Sequence, residues 1–504
     1  MDLFHNILLG FQVALSLQNL LFCFVGVTLG TLIGVLPGIG PVTGVAILIP
    51  ITFGLNATTA IITMAGVYYG AMYGGSTTSI LINVPGESSS VMTCVDGSQM
   101  ARKGRAGPAL GMAALASFIA GTFATLALTF IAPPLATVAL SFGPPEYFAL
   151  TFMGLTLVTS LSGESMLKGI MSGVFGLIVA CVGVDAISGE ERFTFGNIYL
   201  LDGVGFIGTA VGLFAVAEVL LNLEAPMEQV FLQTKFSLRG LFPNLEDWKV
   251  SLVPIGRSSV LGFIIGVLPG AGATIASFMT YALEKKLSRH PERFGTGAIE
   301  AVAAPESANN AAAGGAMVPL LTLGIPGSGT TAVLLGALLI HGLRPGPLLF
   351  QSNPDFVWGV IASMYIGNVM LLILNLPLVG LWASMLRVPY RILMPLIVTL
   401  SAVGVFATDN NVFDMWVMFF FGIVGYLMRK LDFPAAPAVL GLVLGPLVER
   451  SLRQSLTISH GDLSIFFTRP ISGLLTLAAL LSLLAPLVRA AWEAHKRAAA
   501  AART

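Results

Sequence analysis

The chain has 504 residues, of which 55% are hydrophobic and only 10% are charged, and its formal net charge is zero. Soluble domains average about a quarter charged residues, so this chain cannot cover a water-facing surface. Because basic residues are not in excess, the composition gives no indication of a nucleic-acid partner. Long apolar stretches predict an all-α, polytopic protein of the lipid bilayer.

The first apolar stretch covers about residues 7 to 36 and lacks the basic flank of a cleavable signal peptide. Its length exceeds that of a signal peptide's hydrophobic region, so we expect a single retained first span. Several later apolar segments are shorter than the roughly 20 residues that a transmembrane helix needs. Because these short segments surround Pro/Gly motifs, we expect about 10–12 full spans and two re-entrant hairpins.

Three Pro/Gly landmarks occur twice along the chain, each time in the same order. The copies are Gly34–Gly40 with Gly266–Gly272, Asn83–Ser89 with Gly324–Thr330, and Arg105–Pro108 with Arg344–Pro347. Pro37 and Pro269 lie 232 residues apart, and Pro85 and Pro326 lie 241 apart. Landmarks that keep their order with small insertions between them indicate a duplicated unit. In an apolar chain, paired Pro/Gly interruptions indicate a transporter's binding site.

Basic residues lie on different sides of the second landmark in the two halves. The basic cluster Arg102–Arg105 follows Pro85, whereas the cluster Lys285–Arg293 precedes Pro326. Cytoplasmic loops carry the excess of Lys and Arg in membrane proteins. With both clusters in the cytoplasm, the landmark faces opposite sides in the two halves, which predicts an inverted repeat.

We therefore divide the chain into four regions. Residues 1–221 form the first inverted repeat and residues 251–456 form the second. Residues 222–250 mix charges with Phe, Leu and Trp, which is typical of an amphipathic interfacial segment or of an ordinary solvated connector. Residues 457–504 contain the C-terminal span and a basic, cytoplasmic tail.

Pro37 and Pro269 each interrupt an apolar run, because proline removes a backbone donor and breaks a helix. A helix that restarts after such a break has free N–H groups and a positive dipole end, which together favour anions. We expect both ends to bind a carboxylate near the bilayer midplane. Hydroxyl and amide groups at the breaks complete this predicted site, although such residues also join packed helices. The predicted substrate-binding residues are Gly38, Gly40, Thr43, Ser76, Thr77, Thr78, Gly270, Gly272, Thr274, Asn309, Asn310, Ser328, Thr330 and Thr331.

Backbone carbonyls freed at Pro85 and Pro326 are candidates for binding a cation such as sodium. Ion coupling also requires side chains that can carry or balance a charge inside the membrane. The predicted ion-coupling residues are Asn83, Pro85, Gly86, Glu87, Ser88, Glu306, Pro326 and Gly327.

Glu87 and Glu306 lie in apolar surroundings, where an ionised carboxylate is costly. The repeat does not duplicate them, because the 241-residue offset pairs Glu87 with Ser328 and Glu306 with Ala65. Each carboxylate is expected either to take part in ion coupling or to form a structural salt bridge.

Sequence motifs of enzymes are absent. The chain has no GxxxxGK[ST] phosphate loop, no HExxH and no nucleophile elbow. Its three cysteines lack the spacing of metal ligands. We therefore expect no enzymatic activity and no cofactor apart from a coupling sodium ion or proton. Asp96, Asp185 and Asp202 have no partner that the sequence identifies.

The motifs closely resemble those of the TctA family, the large transmembrane subunits of the tripartite tricarboxylate transporters. The matching stretches are GVLPGIGP, YGGSTTSILINVPGESSS, DGxxMARKGRAGPALG, GVLPGAGA, APESANNAAAGGAMVPLLTLGIPGSGTTAVLLGAL and FPAAPAVLGLVLGPLVERSLRQSL. They are long and are spread over nearly the whole chain. The family's glycine motifs correspond to Gly34–Gly40 and Gly266–Gly272, and its polar motifs correspond to Ser76–Ser90 and Glu306–Thr331.

The resemblance implies a permease of the bacterial inner membrane, which works with a small TctB-type membrane subunit and a periplasmic TctC-type binding protein. The implied substrates are organic carboxylates such as citrate, imported by symport along an ion gradient, often of sodium. By analogy with other inverted-repeat transporters, we expect an elevator mechanism. Two other hypotheses are a stand-alone carboxylate permease and a membrane scaffold without transport, which explains the duplicated breaks poorly.

Overall fold

A computed structural model describes residues 3–36, 39–161, 165–185, 187–224, 238–269, 272–385 and 390–484. The predicted site residues Gly38 and Gly270, the central part of the predicted connector and the C-terminal tail lie outside the described residues. Within them, the chain is almost entirely α-helical, and the one sheet is a short antiparallel pair. The predicted all-α class is confirmed.

The helices of the first 140 residues are α1 (Leu3–Ala14), α2 (Leu17–Val35), α3 (Gly40–Thr52), α4 (Ala57–Ile82), α5 (Val91–Arg102) and α6 (Ala106–Ala139). Next come α7 (Pro144–Leu161), α8 (Met166–Ala180), the paired strands β1 (Gly183–Val184) and β2 (Glu191–Arg192), and α9 (Phe206–Val211) and α10 (Ala217–Glu224), which a π-helical turn joins. The middle of the chain contains α11 (Leu238–Leu241), α12 (Leu245–Val267), α13 (Gly272–Leu287), α14 (Glu300–Leu323), α15 (Gly329–Ile340), α16 (Leu349–Ser352), α17 (Pro354–Asn375) and α18 (Val379–Met385). The last helices are α19 (Tyr390–Asp409), α20 (Val412–Lys430), α21 (Ala435–Ile458), α22 (Ile465–Thr468) and α23 (Pro470–Leu484).

The chain divides into two compact units. The first comprises Met1–Leu140 and Gly205–Leu427 and includes both copies of the Pro/Gly landmarks, and the second comprises Ser141–Val204 and Met428–Thr504. This division does not test the boundaries of the predicted repeats, which stay predictions.

Seven helices of the described chain are long and apolar enough to cross a bilayer, judged by length and composition. They are α2, α6, the segment from α9 to α10, α12, α17, α20 and α21. Shorter apolar helices accompany them, namely α1, α3, α8, α15, α23 and the Met394–Ala407 part of α19. This is the composition of a polytopic membrane protein, while the elevator movement stays a prediction.

The predicted first span, about residues 7 to 36, forms two helices, and of the two α2 is long and apolar enough to cross a bilayer. α1 ends at Ala14, and the Ser16 side chain caps α2 by accepting a hydrogen bond from the backbone N–H of Asn19 at 3.4 Å. Serine is a preferred N-cap because its oxygen satisfies a free N–H group of the first helical turn. The apolar residues on both sides made this interruption inconspicuous in the sequence.

The same helix contact occurs twice in the first unit. α2 packs along α4, and α12 packs along α14. A methyl group on Gly34 would collide with the carbonyl oxygen of Ala71, and one on Gly266 would collide with that of Ala312. These residues obey the landmark offsets, 232 for the glycines and 241 for the alanines. Small residues permit such close approach of membrane helices, so the duplication extends to individual contacts.

In the second unit, α21 packs against α7 and α8. Arg453 on α21 donates a hydrogen bond to Asp185 at 2.8 Å, and Arg192 on β2 donates one to Glu449 at 2.8 Å. Asp185, for which the sequence identifies no partner, therefore has one in the structure. Its partner lies 268 residues away along the chain, where local sequence context gives no signal.

Candidate functional site

The first landmark forms equivalent breaks in the two halves. α2 ends at Val35 and α3 begins at Gly40, while α12 ends at Val267 and α13 begins at Gly272. Gly40 and Gly272 both have a φ of +61°, a left-handed conformation that glycine adopts without steric cost. Each break ends one apolar helix and starts another, as the proline motifs predicted.

The second landmark also breaks the two halves in the same way. α4 ends in the left-handed residue Asn83, with a φ of +57°, and α14 ends in Gly324, with a φ of +71°. Glu87 is then the N-cap of a helical turn in the first half, and Ser328 is the N-cap of α15 in the second. Both N-cap side chains form a capping box with the residue three positions later, which satisfies free N–H groups.

Gly86 and Gly327 bring the two landmarks of each half into backbone contact. A methyl group on Gly86 would collide with the carbonyl oxygen of Gly34. One on Gly327 would lie 2.7 Å from the carbonyl oxygen of Gly266. Both predicted ion-coupling glycines therefore allow close packing of the breaks against the preceding helix ends.

The N-terminus of α13 touches the second-landmark breaks of both halves. The hydroxyl oxygens of Ser88 and Thr274 lie 2.9 Å apart. A Cβ on Gly272 would lie 3.8 Å from that of Ser328, whose hydroxyl oxygen is 3.3 Å from the Tyr68 hydroxyl. Ser88 is exposed, and Thr274 and Ser328 are partly exposed. We call Ser88, Gly272, Thr274 and Ser328 the junction site.

The electrostatics of the junction site favour an anion. α13 and α15 contain 16 and 12 residues and have no acidic side chain in their first turns. Their first turns present the positive end of the helix dipole and those N–H groups that the Ser328 capping box does not use. Together with the Ser328 hydroxyl and one hydroxyl of the Ser88–Thr274 pair, these ends can donate hydrogen bonds to a carboxylate.

Glu87 lies behind the junction site and is 7% exposed. Its carboxylate accepts hydrogen bonds from the backbone N–H of Ser89 at 2.6 Å and from the Ser89 hydroxyl. Asn309 on α14 donates to the same carboxylate at 3.3 Å. The structure thus brings together Glu87 from one half and Asn309 from the other.

Glu306 is fully buried on α14. Its carboxylate accepts hydrogen bonds from Ser76 at 2.6 Å, from Ser117 at 3.3 Å and from Thr93. These three donors lie on α4, α6 and α5 of the first half. Across the described residues, neither Glu306 nor Glu87 forms an ion pair, so a structural salt bridge has no support there.

Other predicted residues lie on the helices around these carboxylates. Asn310 donates to the Ser117 hydroxyl at 2.7 Å, which links it to the surroundings of Glu306. Thr78 donates to the Val35 carbonyl at 2.7 Å and so holds α4 against the end of α2. This hydrogen bond uses the one proton of the Thr78 hydroxyl.

The structure does not bring every predicted residue to the junction site. Thr43 on α3 and Thr330 on α15 are buried. Thr331, by contrast, contacts the junction site, because its hydroxyl oxygen lies 3.1 Å from that of Ser328 within the capping box. Asn83 is exposed, and its left-handed backbone ends α4.

Sequence reasoning missed Thr93 and Ser117, because neither lies in a Pro/Gly motif. It also identified no partner for Asp96, which is fully buried and has several. Asp96 accepts hydrogen bonds from the Tyr281 hydroxyl at 2.9 Å and from the backbone N–H of Gly297 at 2.7 Å. It therefore fixes the loop before α14 against α5.

These features define an all-α polytopic membrane protein with duplicated helix breaks that surround buried carboxylates. The model of the tripartite tricarboxylate transporter TctA family matches residues 20–440. The chain belongs to this family.

Two relatives from Agrobacterium vitis are similar to the chain. An uncharacterized 52.8 kDa protein in the TAR-I ttuC' 3' region is 51% identical over 472 residues, which cover 94% of each chain. An uncharacterized protein in the TAR-II ttuC' 3' region is 51% identical over 211 residues, which cover 42% of this chain and 87% of the relative. No solved structure matches the chain.

Proposed function

We propose that the chain is the permease subunit of a tripartite tricarboxylate transporter in the bacterial inner membrane. It imports citrate or a related organic carboxylate by secondary active transport. Membership of the TctA family supports the large-subunit assignment, and the apolar helices support a multi-pass membrane protein.

The junction site is the proposed binding site for the carboxylate. The observation that carries this proposal is the contact of the α13 N-terminus with both second-landmark breaks, through Ser88 at 2.9 Å and through Ser328. Helix N-termini that converge near a partly exposed polar surface suit an anion. Binding here would use donors from both halves at once.

Import against a gradient requires a coupled ion, which we propose to be sodium or a proton. Glu306 and Glu87 are buried without an ion-pair partner in the part of the chain that the structure describes. A buried carboxylate of this kind is stabilised when a cation or proton binds. Movement of the α13 and α15 ends relative to a fixed scaffold would then carry the substrate across, as an elevator does.

In this proposal, a periplasmic TctC-type protein delivers the carboxylate, and a small TctB-type subunit completes the membrane complex. The test is uptake of radiolabelled di- and tricarboxylates, citrate included, by cells that express the chain with both partner types, with either one, or alone. Uptake that needs all three proteins supports the tripartite permease. Uptake by the chain alone supports a stand-alone permease, and no uptake in any combination supports the scaffold hypothesis.

A further inference from the structure

A second site lies away from the junction site, between α4, α6 and α17. It is a cavity of about 10 Å³, which holds roughly one water molecule or an ion of similar size. Its polar lining consists of Tyr73, Ser76, Thr77, Ser117 and Asn375. We call it the α4–α6–α17 cavity.

Two hydroxyl groups of the lining already donate hydrogen bonds outside the cavity. Ser76 and Ser117 both donate to Glu306, at 2.6 and 3.3 Å. Ser117 also accepts a hydrogen bond from Asn310 at 2.7 Å, which fixes its role as donor to Glu306. Because a hydroxyl has one proton and two lone pairs, both serines can offer only lone pairs to the cavity.

The Tyr73 hydroxyl also donates its hydrogen bond outside the cavity. Asn368 donates through Nδ2 to the Phe118 carbonyl and to the Thr122 hydroxyl, each at 2.9 Å. These bonds orient the amide so that Oδ1 faces Tyr73, whose hydroxyl donates to it at 2.6 Å. The Tyr73 oxygen can therefore act toward the cavity only as an acceptor.

Asn375 provides an unused acceptor. Its side chain is 7% exposed, and Nδ2 donates to the Leu371 carbonyl at 2.9 Å. Reversing the amide would place Oδ1 against that carbonyl, so the bond fixes the orientation. Oδ1 is buried and has no hydrogen-bond partner. A buried oxygen without a hydrogen-bond partner is destabilising unless a ligand binds it.

We propose that the α4–α6–α17 cavity binds a monovalent cation, sodium. Oxygens of Asn375, Ser76, Ser117 and Tyr73 are the candidate ligands, and the adjacent Glu306 supplies one negative charge. A cation requires oxygen lone pairs of this kind and no donors. A divalent cation would leave an uncompensated positive charge beside a single carboxylate. This site differs from the sodium positions predicted at Pro85 and Pro326.

The inference rests on the proposed function and deepens it, because it gives the coupling ion a position. It is tested without transport, on the purified full-length protein in detergent. Thermal unfolding is measured at constant pH and ionic strength while sodium chloride replaces choline chloride, with potassium chloride as a second comparison. A cation that binds only the folded state raises the unfolding temperature as its concentration rises.

The wild-type protein is expected to show a sodium-dependent rise that potassium and choline do not reproduce. Asn375→Ala is expected to raise the half-maximal sodium concentration at least about tenfold, as loss of a metal-site group does. Ser117→Ala serves the same purpose where Asn375→Ala fails to fold. The matched control is Asn19→Ala, because Asn19 is also 7% exposed but hydrogen-bonds to Thr59 outside the cavity.

Three results would overturn the sodium site. They are a wild-type protein without a sodium-specific rise, an unchanged sodium dependence in Asn375→Ala and Ser117→Ala, and stabilisation that follows pH but not sodium. The transport proposal fails separately, when the sodium-dependent rise is intact and no carboxylate is taken up.

Discussion

Glu87 and Ser328 are the same residue of the repeat, 241 positions apart, and each caps the helical turn that follows the second-landmark break. Both halves therefore have an N-cap at this position, but only the first half has a carboxylate there. Ser328 adjoins the junction site, whereas Glu87 hydrogen-bonds to Ser89 and Asn309. The duplication therefore repeats the scaffold and leaves its chemistry asymmetric.

Glu87→Ser should separate these two roles. Serine is a good N-cap, so the variant should fold and express as the wild type does. The loss of the carboxylate should lower carboxylate uptake at least about tenfold, the effect of 1.4 kcal/mol of binding energy. Unfolding temperature and initial uptake rate are measured together, with Glu87→Ala as the variant that loses the cap as well. Normal uptake by Glu87→Ser would remove Glu87 from ion coupling.

Ser328→Ala removes both an N-cap and a junction-site hydroxyl. The cap loss should destabilise the protein by about 0.5–2 kcal/mol, and the lost hydroxyl should weaken carboxylate binding. The matched control is Asn56→Ala, because Asn56 caps α4 through Thr59 N at 2.9 Å and is exposed. The site assignment predicts a raised half-saturating carboxylate concentration in Ser328→Ala only. If the half-saturating concentration rises equally in both variants, the loss of an N-cap alone explains the effect of Ser328→Ala.

Gly34→Ala and Gly256→Ala should have opposite effects on the free energy of unfolding. A methyl group on Gly34 meets the Ala71 carbonyl, whereas one on Gly256 meets nothing within 4 Å. Gly34→Ala should therefore destabilise the protein by about 1–3 kcal/mol through overpacking. Gly256→Ala lies inside α12 and should stabilise it by about 0.4–1 kcal/mol. Thermal unfolding in detergent measures both changes. If Gly256→Ala destabilises the protein as Gly34→Ala does, the collision between α2 and α4 does not explain the effect of Gly34→Ala.

The stability of the second unit should depend on pH through Asp185. Its carboxylate accepts hydrogen bonds from the backbone N–H of Ile187 and from Arg453, which lowers its pKa below the ordinary value. A lowered folded-state pKa stabilises the protein above the unfolded pKa of about 3.9, and the contribution is lost as pH falls below it. Thermal unfolding from pH 7 to pH 3 should show Asp185→Asn less stable at neutral pH, with the difference shrinking in acid. A difference that is independent of pH would contradict this role.

The sequence predicted those features that depend on local backbone chemistry. Proline and glycine restrict or extend the accessible backbone conformations, so the breaks at Gly40 and Gly272 were visible as motifs. The order and spacing of the landmarks likewise indicated the duplication, and the structure repeats the Gly34–Ala71 contact as Gly266–Ala312 at the same offsets.

Partners that come from distant helices could not be predicted in this way. Thr93 and Ser117 reach Glu306 from helices that lie 213 and 189 residues away in the chain. Asp96 likewise binds the loop before α14, and the residues that flank Asp96 in the sequence do not predict this contact. A single sequence contains the periodicity of each helix but not the pairing of helices, and the pairing decides which hydroxyls surround a buried carboxylate.

The most direct test of the account is carboxylate uptake into proteoliposomes that contain the chain with its small membrane subunit and binding protein. Radiolabelled di- and tricarboxylates, citrate first, are tested under an inward sodium gradient, an inward proton gradient and no gradient. We predict accumulation of at least one carboxylate above its external concentration under the sodium gradient, and a raised half-saturating carboxylate concentration for this uptake in Ser328→Ala. No accumulation of any carboxylate under either gradient would contradict this prediction.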